Sequence, residues 1–109
     1  MPLRQMTVQE LRAVLADESA AQPVLLDIRE GWEWQLARIE GSRHLPMNEI
    51  PERLDDLDKS HPTVVICHHG VRSLQVVAFL ERLGYANLHN LQGGIDAWAR
   101  AIDPAVPVY

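Results

Sequence analysis

The 109-residue chain contains a single cysteine, Cys67. That count excludes an internal disulfide framework, a CxxC redox couple and an all-cysteine zinc site. It also fits a reducing compartment. Long apolar runs are missing too, for the longest, Val76-Val77-Ala78-Phe79-Leu80, is far short of a membrane span. Met1-Pro2-Leu3-Arg4-Gln5-Met6 lacks the apolar stretch of a secretory signal, so a cytoplasmic location is expected. Positive charge is scarce: 10 Lys+Arg against 15 Asp+Glu leave a formal charge of −5. Such a balance argues against nucleic acid or an anionic membrane as a partner, since phosphate binding needs a basic face. No repeat, low-complexity tract or linker divides the chain. One domain over residues 1–109 is expected, large enough to bury a core without disulfide staples.

What is present alternates between helical and strand patterns. Thr7-Val8-Gln9-Glu10 has capping-box spacing, and Leu11, Val14 and Leu15 follow at helical intervals, predicting a helix over about Val8 to Asp17. Val24 to Ile28 and Thr63 to Cys67 read as buried strands, the second central because four of its residues are β-branched. Between them, Trp32, Trp34, Leu36 and Ile39 indicate a partly helical crossing. A short strand at Ser42 to Leu45 and a short helix near Pro51 to Leu57 follow. Ser73 is read as the cap of a helix running to Leu83, which Gly84 stops. Asn87 to Leu91 gives a further strand, and Ile95 to Ala101 a final helix. Trp32, Trp34 and Trp98 are read as core or pocket-wall aromatics. The whole predicts an α/β fold with a central, mostly parallel sheet flanked by helices. Ligands bind such sheets beyond the carboxyl ends of the strands, where Cys67 lies.

Chemistry concentrates in Cys67-His68-His69-Gly70-Val71-Arg72-Ser73, a loop between a strand and a helix start. A cysteine attacks as thiolate, and the amides at a helix N-terminus favour negative charge. Gly70 lets the backbone fold tightly so that successive amides point inward, and Arg72 adds a permanent cation at the rim. Positive potential is therefore expected to gather in this loop despite the acidic total. His68 and His69 are read as lining the pocket mouth rather than as metal ligands, because adjacent residues seldom converge on one ion. Asp27 and Arg29, near the end of their strand, are read as an ion pair or loop anchor. Cysteine phosphatases place five residues between cysteine and arginine, whereas here four separate Cys67 from Arg72.

Three segments resemble the rhodanese family, in its single-domain, thiosulfate sulfurtransferase-like form. Leu26-Asp27-Ile28-Arg29-Glu30 with Glu33-Trp34 is similar to its first signature. Cys67 to Arg72 is similar to its six-residue active loop, and Leu91-Gln92-Gly93-Gly94-Ile95-Asp96-Ala97-Trp98 to its C-terminal signature. Ala37-Arg38-Ile39-Glu40-Gly41-Ser42 departs from the family's usual Gly-His-Ile-Pro-Gly-Ala, and His68 and His69 stand where some thiosulfate-active relatives carry basic residues. The resemblance implies a rhodanese-like fold and a two-step transfer without a cofactor. Cys67 would take a sulfane sulfur from a small anionic donor such as thiosulfate, with His68, His69, Gly70, Val71, Arg72 and Ser73 binding the substrate. The persulfide would then pass its sulfur to cyanide or a thiol, possibly a protein thiol. A docking or sulfur-carrier module with little free turnover is the alternative.

Overall fold

The computed structural model describes residues 4–109, so Met1, Pro2 and Leu3 of the segment inspected for a signal lie outside the described residues. Helix α1 (Val8–Ala16) begins at the capping box: the Thr7 hydroxyl accepts from the Glu10 N–H at 3.1 Å, and the Glu10 carboxylate from the Thr7 N–H at 3.0 Å. Five parallel strands follow the order β1 (Gln5–Met6), β5 (Leu88–Leu91), β4 (Thr63–Ile66), β2 (Val24–Asp27), β3 (Arg43–His44). Helices α2 (Gly31–Leu36), α3 (Val71–Arg82) and α4 (Gly94–Ala101) complete the alternation.

Side chains along a strand alternate between faces, and β4 uses both. Val64 and Ile66 join Leu11, Leu25, Leu91, Ile95 and Trp98 in one buried cluster. Val65 and Cys67 join Leu26, Ile28, Val76, Val77 and Leu80 in another. All four residues of β4 are buried, as a strand covered on both faces requires. Cys67, one residue past the strand, continues the alternation and is thereby turned toward the side covered by α3.

Several expectations are corrected. Strand β1 was not read from the sequence, being only two residues long. The segment near Pro51 forms two 3₁₀ turns, Met47–Glu52 and Leu54–Asp56, instead of one α-helix. Pro51 lies inside the first and offers no N–H, and the chain closes short bonds such as Arg53 N–H to the Ile50 carbonyl at 3.0 Å. Helix α3 starts at Val71 with Gly70 as its cap, so Ser73 is an internal helical residue and caps nothing. Gly70, at φ 94°, turns the backbone into the helix three residues earlier than the Ser73 reading placed it. Of the tryptophans read as core or pocket wall, Trp98 is buried, while Trp32 is 61% exposed outside the core with its ring edge-on to Tyr109.

Candidate active site

The carboxyl ends of β2, β4 and β5 lie side by side, and the loop from Cys67 to Gly70 rises from the middle one. Two neighbouring supports fix its shape. The first is Gly93-Gly94, with φ values of 79° and 62°. From it the Ile95 N–H donates to the Cys67 carbonyl at 2.9 Å and the Asp96 N–H to the His68 carbonyl at 3.0 Å. A side chain at Gly94 would overlap both carbonyl oxygens, so glycine is required there by space as well as by φ. With the Cys67 and His68 carbonyls held by the start of α4, the Gly70 N–H reaches Cys67 Sγ at 3.1 Å.

Asn90 of β5 supplies the second support. Its Nδ2 donates to the Gly70 carbonyl at 3.1 Å and to Gln5 Oε1 at 2.8 Å. Its Oδ1 accepts from the Ser73 hydroxyl, which also lies 3.2 Å from Cys67 Sγ. Cys67 itself is 1% exposed. The sulfur thus rests at the floor of the loop, in front of the α3 N-terminus, between one backbone donor and one hydroxyl.

Asp27 and Arg29 form a wholly buried ion pair, with Arg29 Nη2 2.7 Å from Asp27 Oδ2. Asp27 Oδ1 also accepts from the Arg29 backbone N–H at 3.1 Å, while the guanidinium donates to the Glu33 and Ala37 carbonyls. The pair thereby holds the carboxyl-terminal end of α2.

Arg72 stands at the rim, but its charge is not free. Nη1 and Nη2 donate to Glu33 Oε1 and Oε2 at 2.8 and 2.9 Å, a two-pronged pair. Oε1 accepts further from the Glu30 N–H at 3.1 Å, and Oε2 from the Tyr109 hydroxyl at 2.6 Å. Arg72 foremost, then Tyr109 and the Glu30 amide, hold the Glu33 carboxyl down at about 2 despite its burial. The Tyr109 hydroxyl in turn accepts from Arg29 Nη1 at 2.7 Å. Burial first, and then the Glu33 carboxylate, push that phenol up to about 12. The expected pool of positive potential in the loop is therefore corrected: its one arginine is neutralised by a buried glutamate. Glu33 was read only as part of a signature, and Tyr109 carried no signal.

His68 is sandwiched, its ring 3.9 Å from those of both Tyr109 and His69. The fold brings Asp96 beside the two histidines, with ligand atoms within 4.8 Å of one another, a neighbour the sequence did not reveal. Asp96 is also engaged by Arg100 at 3.1 Å. Val71 is 67% exposed beside the rim. Met47 lines a cleft with Ile28, Pro46 and Arg72.

No helix among the described residues is long and apolar enough to cross a membrane. Known proteins are similar to this chain in sequence and fold. A thiosulfate sulfurtransferase GlpE of Actinobacillus succinogenes is 37% identical over 86 residues, 79% of this chain and 78% of that protein. The chloroplastic rhodanese-like/PpiC domain-containing protein 12 of Arabidopsis thaliana is 30% identical over 113 residues, and the chain spans only 38% of its length. The crystal structure of a rhodanese-like domain protein from Staphylococcus aureus superposes with a TM-score of 0.84 at 28% identity, covering 98% of this chain and 99% of that one. The rhodanese-like domain pattern matches residues 7–101, a span that takes in the Asp27–Arg29 anchor, the cysteine loop and the Gly93-Gly94 turn, and the chain belongs to the rhodanese-like domain family.

Proposed function

We propose that the protein is a sulfurtransferase that carries a sulfane sulfur on Cys67. The observation that carries this reading is the position of Sγ: 3.1 Å from the Gly70 N–H, at the floor of a loop that ends on the N-terminus of α3. An anionic sulfur there is stabilised by backbone dipoles fixed in advance. In the first half-reaction the Cys67 thiolate attacks the outer sulfur of the donor. An S–S bond forms, and the donor's own bond to that sulfur breaks with its electron pair, releasing sulfite from thiosulfate or a thiolate from a persulfide. In the second half, the thiolate of an acceptor, or cyanide, attacks the outer sulfur and restores Cys67. The near-complete burial of Cys67 means that a single sulfur atom enters the loop while the body of the donor stays at the mouth. His68, His69, Gly70, Val71, Arg72 and Ser73 form that mouth and its walls. With Cys67 the only cysteine, no internal thiol can resolve the persulfide to a disulfide.

Intact-mass measurement after incubation with thiosulfate or an alkyl persulfide tests this. One added sulfur is expected, lost on adding cyanide and absent in Cys67→Ala. An unchanged mass with every donor overturns the reading. A docking or carrier role with little free turnover is the second reading. It is favoured by exposed apolar side chains flanking the Glu33–Arg72 pair, namely Trp32 and Val71, with Met47 close by. Such side chains suit an acceptor that is itself a protein thiol. Loading without multiple turnovers on small acceptors would select it.

A further inference from the structure

The charge state of the loop mouth bears on which donor the site accepts. A site for the thiosulfate dianion gains from an uncompensated cation, because attraction scales with the charge of the ligand. Here the only arginine of the loop is matched by Glu33 at 2.8 and 2.9 Å. The Glu33 side chain is 4% exposed and the Arg72 side chain 35%, so the carboxylate lies beneath and the outer edge of the guanidinium faces the mouth. Releasing Arg72 toward a substrate would strand a buried carboxylate, a costly outcome that holds the pair together. The chain as a whole carries −5, which further disfavours a dianion.

Resting on the sulfurtransferase reading above, we propose that Glu33 is a specificity-determining residue: by neutralising Arg72 it makes the mouth a site for low-charge alkyl persulfides in preference to thiosulfate. The loading step is then Cys67–S⁻ + R–S–SH giving Cys67–S–SH + R–S⁻. One S–S bond forms at Sγ and one breaks, the leaving thiolate keeps the bonding pair, and it takes a proton from solvent. No oxidant or reductant is consumed. Glu33 touches no reacting atom and acts through Arg72, as a positioning residue.

The test compares the rate constants for Cys67 loading by thiosulfate and by 2-hydroxyethyl persulfide at fixed ionic strength, read by intact mass. The wild-type chain is expected to favour the persulfide by about tenfold or more after correction for the donors' intrinsic reactivity toward a free thiol. Glu33→Gln uncovers the Arg72 charge and should move the donor ratio about tenfold toward thiosulfate. That gain should vanish in Glu33→Gln/Arg72→Gln, which a merely structural role for Glu33 would not produce. A wild-type ratio at or in favour of thiosulfate overturns the proposal while leaving sulfur transfer standing. So does a Glu33→Gln protein, folded by circular dichroism, whose ratio is unchanged. If that variant does not fold, the wild-type ratio decides. A wild-type chain that loads from neither donor overturns both readings.

Discussion

Ser73 has one hydroxyl hydrogen and two neighbours that want it. The Gly70 carbonyl fixes Asn90 with its Nδ2 toward the loop, leaving Oδ1 for Ser73. Ser73 donates to Asn90 and can then accept from a protonated Cys67 thiol. Once the sulfur is a thiolate, the same hydrogen must choose between Sγ, 3.2 Å away, and Asn90. Ser73→Ala removes the donor from both and leaves a buried amide oxygen unpaired. It should cost about 1–3 kcal/mol in urea unfolding and slow Cys67 loading. A midpoint equal to that of the wild type would refute this account. The sequence made Ser73 visible as a residue near a helix start, but not its inward direction. That direction depends on where Gly70 begins the helix and on Asn90, which lies 17 positions away in sequence and carries no local signal.

Among the elements, the α4 start shapes the loop more than α3 does, because two of its amides hold the Cys67 and His68 carbonyls. Gly94→Ala would drive a methyl group into those oxygens and force a left-handed φ on alanine. Loss of loading by at least an order of magnitude is expected. Gly31→Ala meets open space and serves as the control. Activity retained in Gly94→Ala at the Gly31→Ala level would rule out this shaping role. Helices α1 and α4 and strands β2, β4 and β5 were legible because their cues are local: a capping box, β-branched runs, a glycine pair. Strand β3 falls within the strand read at Ser42 to Leu45, whereas the two-residue β1 and the 3₁₀ turns were not legible. A pairing partner distant in sequence defines the former, and a proline that blocks a regular helix defines the latter.

At the scale of the molecule, Asp27, Arg29, Tyr109, Glu33 and Arg72 form one chain of polar contacts that ties the carboxyl-terminal residue to β2, α2 and α3. Two of its members, Glu33 and Tyr109, give opposite pH limbs. The Glu33 carboxyl is lowered from 4.5 to about 2, so its contribution is complete above pH 4.5 and disappears as pH falls toward 2. That limb is worth about 2 kcal/mol, allowing for the half-exposed guanidinium. The Tyr109 phenol is raised from 10.0 to about 12, so its contribution is complete below pH 10 and disappears as pH climbs to 12. Urea unfolding across pH should show both losses, and Tyr109→Phe should remove the alkaline one. An unaltered alkaline limb in that variant would contradict the assignment. None of this network beyond Asp27 and Arg29 could be read from the chain, since its far member lies 76 residues from Glu33. The two outermost strands, β1 and β3, are two residues each, so each offers only a short edge for a foreign segment to extend. Edges this short disfavour augmentation by an incoming β-strand, a common route to complexes and to aggregates.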